Sequence, residues 1–128
     1  MTYYYSKTVQ LGFDEAVSRI TQALKEEGFG ILTDIDVKST LKKKLDVNFR
    51  NYRILGACNP PFAYKALQAE DKVGTMLPCN VIVQETADGD VEIAAIDPIA
   101  SMKAIENPNL REVAEVVGQK LKTVIQNA

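Results

Sequence analysis

Histidine and tryptophan are absent from this chain of 128 residues, and it holds only two cysteines, Cys58 and Cys79. The missing histidine removes the imidazole base, the Cys-His dyad and the commonest metal ligand, so any strong nucleophile or soft metal ligand has to come from the two thiols. They are not spaced Cys-x-x-Cys, which argues against a thioredoxin-type redox centre, and no glycine-rich nucleotide loop is present. No apolar run approaches the roughly 18 residues of a membrane span. The segment Met1-Thr2-Tyr3-Tyr4-Tyr5-Ser6-Lys7 lacks the basic start, apolar stretch and cleavage site of a secretory signal. A cytoplasmic protein is expected, with both cysteines as free thiols in a reducing compartment. A formal net charge of -2 gives no reason to expect nucleic acid or an anionic membrane as partner.

What is present is the composition of an ordinary globular protein, 46% hydrophobic and 25% charged. Read as a single domain over residues 1–128, it is long enough to bury roughly two thirds of the surface its unfolded chain exposes. Tyr3 to Val9, rich in aromatic and β-branched residues, reads as a strand. Phe13, Ala16, Val17, Ile20 and Leu24 then recur at helical spacing, with Asp14 and Glu15 in the first turn and Gly28 and Gly30 as stop signals. Phe29 to Thr33 reads as a second strand. Asp36 is an N-cap for a short helix that sets Val37, Leu41 and Leu45 on one stripe and ends in Lys42, Lys43 and Lys44, a solvated basic turn.

Tyr52 to Ala57 reads as a third strand, and Asn59-Pro60 opens a helix that carries Phe62, Ala63, Ala66 and Leu67 inward. After a loop from Asp71 to Pro78, the strands Cys79 to Thr86 and Asp90 to Ile96 flank the hairpin signal Ala87-Asp88-Gly89. Asn107-Pro108 opens a closing helix with Leu110, Val113, Ala114, Val117, Leu121 and Val124 on one face. This order predicts an α+β fold, a mainly antiparallel sheet with helices packed on one face.

The hairpin register carries more information than its boundaries. A two-residue loop at Asp88-Gly89 would set Glu85 opposite Glu92, a like-charge pair that costs stability. A type I turn at Ala87 and Asp88, with Gly89 in the left-handed bulge position, instead pairs Thr86 with Asp90, Val83 with Ile93, Val81 with Ala95 and Cys79 with Asp97. One face becomes continuously apolar, and a carboxylate lands beside a thiol. The other face carries Ile82, Ala94 and Ile96, more apolar than a solvated face should be, and predicts the interface of a homodimer.

If the third and fourth strands run antiparallel, Cys58, Cys79 and Asp97 gather at one end of the sheet. The candidate site is then Cys58, Asn59, Cys79, Asn80 and Asp97, thiols beside amide groups, suited to a small ligand, an electrophile or a soft metal. Cys58 stands ahead of a helix N-terminus, whose partial positive charge favours a thiolate, and is expected to be the more reactive thiol. A closed zinc site wants four ligands where Cys58, Cys79 and Asp97 supply three, so a dimer would have to complete it. The plainer alternative is that both cysteines are small core residues and that Asn59 and Asn80 satisfy backbone groups.

The segments Ile54-Leu55-Gly56-Ala57-Cys58-Asn59-Pro60, Leu77-Pro78-Cys79-Asn80-Val81-Ile82-Val83 and Ile96-Asp97-Pro98, with Glu26-Glu27-Gly28-Phe29-Gly30 after the first helix, resemble the pattern of the domain-of-unknown-function family 302. The resemblance runs over nearly the whole chain. Its motif positions fall on Gly56, Cys58, Asn59, Pro60, Leu77, Pro78, Cys79, Asp97 and Pro98. It implies a small bacterial or archaeal protein with a TATA-binding-protein-like β-α-β4-α topology, antiparallel pairing and dimers. That topology is no argument for DNA binding, since function belongs to sites rather than folds.

Three functional readings follow: a domain that binds a small ligand, electrophile or soft metal at the two-cysteine site; a structural or partner-binding dimer that uses the open sheet face; and an enzyme with Cys58 as nucleophile and Asp97 or Glu85 as acid or base. The sequence names no cofactor, substrate or metal.

Overall fold

Five segments of β-prone sequence, β1 (Tyr4–Val9), β2 (Gly30–Asp36), β3 (Tyr52–Cys58), β4 (Cys79–Glu85) and β5 (Val91–Ile96), pair into one antiparallel sheet in the order β1-β5-β4-β3-β2. The structure, a computed structural model, describes residues 2–128. Helices α1 (Phe13–Glu26) and α5 (Pro108–Asn127) give the chain its β-α-β4-α course, and α2 (Val37–Leu45), α3 (Pro60–Ala69), a 3-10 turn (Asp71–Met76) and the short α4 (Pro98–Ser101) are inserted between strands. The fold is α+β, as the order of elements predicts. No helix among the described residues is long and apolar enough to cross a membrane.

α1 and α5 lie on the same face of the sheet because each presents one apolar stripe. Ile20 and Leu24 of α1 and Leu121 and Val124 of α5 are fully buried against Leu55, Val81, Val83, Ile93 and Ala95 of the inner strands. Each side chain of this size removed from water contributes about 2 kcal/mol. A smaller cluster of Ala66, Val73, Met102, Leu110 and Ala114 ties α3 and the 3-10 turn to the first half of α5. The two helix ends are closed differently. At α1 the Phe29 amide donates to the Leu24 carbonyl and the Gly28 amide to that of Lys25, with Gly28 at φ 87°, a Schellman stop that needs glycine. At α5 the Asn107 side chain accepts from the amides of Asn109 and Leu110, as its position before Pro108 predicts.

The bulged hairpin register is the one adopted. Val83 faces Ile93, Val81 faces Ala95, the Thr86 amide donates to the Asp90 carbonyl, and Gly89 has φ 85°. Glu85 therefore faces Val91, while Glu92 faces Gln84, whose amide donates to it at 2.9 Å.

The short helix α2 forms where Asp36 predicts it. Asp36 caps it by accepting from the Ser39 amide, but none of its residues is buried and Leu45 is 65% exposed. Its stripe of Val37, Leu41 and Leu45 meets mainly the edge pair β2 and β3, away from the core that α1 and α5 fill.

On the sheet face turned from α1 and α5, the registers align Ile35, Ile54, Ile82 and Ala94 in a row across four strands, ending at Ser6 of β1. Beside that row sits Gly56. A Cβ there would lie 2.1 Å from Thr33 Oγ1 and 2.6 Å from Pro78 Cγ, so the strand closes only without a side chain at this position. Gly56→Ala is expected to destabilise the protein by about 1–3 kcal/mol, the usual cost of overpacking a closed site. Thermal unfolding followed by circular dichroism measures it, and an unchanged midpoint would contradict the packing described.

Candidate functional site

β3 and β4 pair antiparallel as far as Ala57 opposite Cys79, which leaves Cys58 one residue beyond the last pair. The end of β3 and the start of β4 are therefore neighbours, and the two thiols come to the same end of the sheet. After Cys58 the chain turns at Asn59 into α3, whose first residue, Pro60, has no amide proton to leave unpaired.

Asn59 is the one buried polar side chain among the described residues, 8% exposed, and it does not cap α3. Its amide nitrogen donates instead to the Glu27 carbonyl, 3.2 Å away, one of the acceptors that the end of α1 leaves open. Gly28 permits this contact, since a Cβ there would stand 3.2 Å from Asn59 Nδ2. The link fixes the β3–α3 junction, and with it Cys58, against the end of α1.

Beside this junction lies a cavity of about 330 Å³. Its sheet side is Ala57, Cys58 and Cys79; Phe62, Ala63, Ala66 and Leu67 come from α3; Leu77 and Pro78 precede β4; Val113, Ala114 and Val117 come from α5 and Met102 follows α4. No aspartate, glutamate, lysine or arginine is in the lining. Apart from the thiols, its side-chain polar group is the Asn59 amide, already committed to Glu27. Burial pushes the Cys79 thiol up to about 11, and the nearby Cys58 pushes the same way. Cys79 is accordingly a neutral thiol at physiological pH, while Cys58 is partly exposed.

Of the five residues singled out in the sequence, Cys58, Asn59 and Cys79 line this cavity, and Asn80 and Asp97 do not. Strand alternation turns Asn80 to the other face, where it is exposed in a groove with Tyr4, Tyr52 and Ile82. Asp97 follows the strand expected of it, but Pro98 starts α4 there and the carboxylate becomes the cap, accepting from the Ile99 amide at 3.0 Å. The same carboxylate lies against the Tyr5 hydroxyl; burial first and this charge second push that hydroxyl's pKa up.

A carboxylate beside the thiols is therefore not what the register delivers. Glu85 accepts from the Asn51 amide at the far end of β4, which leaves Cys58 without either of the acid–base partners considered from the sequence. No group of three histidine, cysteine, aspartate or glutamate residues that could hold a metal occurs among the described residues. The residues that sequence reasoning missed, such as Phe29, Leu77, Met102 and Val117, are apolar and carry no mark that separates a cavity wall from a core.

Alkylation separates the thiols. With its pKa near 11, Cys79 has about one thiolate in ten thousand molecules at pH 7, and its labelling should rise about tenfold per pH unit toward 11. Iodoacetamide with peptide mass spectrometry should modify Cys58 at least about tenfold faster than Cys79 at pH 8. Equal rates would contradict the burial of Cys79.

No curated protein matches the chain. Among solved structures it is similar to the crystal structure of an uncharacterized conserved DUF302 protein from Bacillus stearothermophilus. The two are 29% identical with a TM-score of 0.92, over 99% of this chain and 98% of that one. The family model described as "Domain of unknown function DUF302" matches residues 5–128. With fold, motif positions and family model in agreement, the chain belongs to the DUF302 family.

Proposed function

We propose that this protein is a binding domain for a small, uncharged, largely apolar molecule held in the cavity between the β3–β4 end of the sheet, α3 and α5. The observation that carries this reading is the cavity itself: about 330 Å³, with walls of apolar side chains and two thiols and with no ionised group. The space opens to the surface beside Leu32 and Leu67, and an apolar molecule that covers its walls removes apolar surface from water, which is favourable. Its volume is at the small end of ligand pockets, and the lining offers apolar contact together with the polarizable sulfurs of Cys58, Cys79 and Met102.

Charge decides among the ligand classes that two thiols could serve. A soft metal held by both would require two thiolates in a lining that holds no cation, and Cys79 gives up its proton only near pH 11. A cysteine-dependent reaction would require a base, and the lining supplies none. A neutral ligand needs neither.

The test is binding of N-phenyl-1-naphthylamine, an uncharged apolar fluorophore, to the reduced protein. Emission is expected to rise saturably, and Ala63→Trp, which puts an indole into the cavity from α3, should weaken binding at least about tenfold, or about 1.4 kcal/mol. Binding that is absent in the parent, or unchanged in a folded Ala63→Trp protein, would refute the proposal.

A second reading, a homodimer through the other sheet face, has its own support. Beside the row Ile35, Ile54, Ile82 and Ala94, the cross-strand pair Ile96 and Tyr4 shares a groove with Ile82 and Tyr3, and Tyr3 is 63% exposed. Ala94 is itself buried within one chain, so Ile82, Ile96 and the two tyrosines are the residues left to meet a partner. Light scattering at micromolar concentration should give twice the chain mass, and Ile82→Glu, which introduces an unpaired charge, should shift the population to monomer. A parent protein that is monomeric under these conditions rules this reading out.

A further inference from the structure

No ionised group lines the cavity, but two approach one of its walls from outside. Phe62 of α3 lines the cavity and is only half-buried, so it borders both the cavity and the solvent. The Lys65 ammonium stands 5.6 Å from the centroid of its ring and the Lys120 ammonium 5.9 Å. Helical spacing puts them there. Lys65 is one turn along α3 from Phe62, and Lys120 is one turn beyond Val117 on the stripe of α5 that brings Val113 and Val117 to the cavity. Lys120 is itself half-buried, as a lysine is when its stem lies along apolar surface and its charge reaches solvent. Among the described residues neither lysine forms an ion pair, whereas Lys42, Arg53 and Lys72 each do. Two like charges therefore share the edge of one apolar site without a counter-ion, an arrangement that an anion beside Phe62 would relieve.

We infer that Lys65 and Lys120 make the site select, among apolar molecules, those that end in a single carboxylate. The apolar body, which carries no charge, fills the cavity, and the carboxylate stays outside it at the seam of α3 and α5, beside the Phe62 ring. The inference rests on the binding reading above and adds to it the chemistry of one end of the ligand. A carboxylate drawn inside would meet apolar walls and no cation, which is costly. At the seam it keeps part of its water and gains two ammonium groups. Lysine stems are flexible and their charge is compact, so both can turn from the ring to one anion while the helices stay in place. A cationic end at this place would meet two like charges, and a neutral end would gain nothing from them. Charge at the seam therefore orders the three classes, with the acid first.

The experiment is equilibrium dialysis of the reduced protein against 2-naphthylacetate and 2-naphthylacetamide, which share one apolar body and differ in charge. In dilute buffer the acid should bind at least about fivefold more tightly than the amide, the effect expected of two partly exposed ion pairs together. Raising the salt to about 0.5 M should narrow the gap, because the charges are screened. The double substitution Lys65→Gln and Lys120→Gln should abolish the acid's advantage and leave the amide's dissociation constant unchanged, while Lys65→Arg with Lys120→Arg should keep the advantage. An acid that binds no more tightly than the amide, or an advantage that survives both glutamines, would overturn the inference and leave the binding reading standing. If neither compound binds, both fall.

Discussion

The antiparallel pairing of β3 with β4 sets most of what is distinctive in this molecule. With Leu55 opposite Val81 and Ala57 opposite Cys79, one set of alternating residues faces α1 and α5 and becomes core, while Ile54, Gly56, Asn80 and Ile82 face the other way. The same register ends at Ala57 opposite Cys79, and this brings both cysteines to one end of the sheet, beside the cavity. A slip of one residue would exchange the faces, burying Asn80 and expelling Val81 and Val83. The contact of Gly56 with Thr33 and Pro78 opposes such a slip, since any side chain brought to that place would collide.

The cavity follows from what is built around that strand end. α3 is held away from the sheet by its attachment on one side to the β3–α3 junction, where Asn59 ties to Glu27, and on the other to α5, through Ala66 against Leu110 and Ala114. Small residues line the gap between them, Ala57, Ala63, Ala66, Gly74 and Ala114, so the helices approach without their side chains filling it. Larger side chains at a few of these positions would give a tighter core. We read their absence as room kept for an occupant, the trade of stability for a site that functional cavities commonly make.

Much of this fold is legible in the sequence, because the signals are local and agree with one another. The glycine stop at Gly28, the N-cap and proline pair at Asn107 and Pro108, and the clash between Glu85 and Glu92 each identify an element or a register without reference to the rest of the chain. What could not be read depends on tertiary context. Asp97 has the right place along β5 to face a thiol, but Pro98 turns the chain into a helix whose open amides claim the carboxylate. Asn59 has the look of a cap and serves a different helix, because α1 ends beside it. Asn80 follows Cys79 as Asn59 follows Cys58, yet strand alternation puts it on the opposite face. Phe29, Met102 and Val117 line the cavity with side chains that would serve equally well in a packed interior, and sequence has no means of distinguishing a wall from a core.

The most direct test of the account is to locate an uncharged apolar molecule on the protein by methyl NMR. With methyl-labelled leucine, valine and methionine, titration of naphthalene into reduced protein should shift the resonances of Leu67, Leu77, Met102, Val113 and Val117 together, with one dissociation constant, and leave Val9 and Val91 at the far end of the sheet unmoved. Shifts scattered over the surface, or none at these five residues up to the solubility of the ligand, would contradict it.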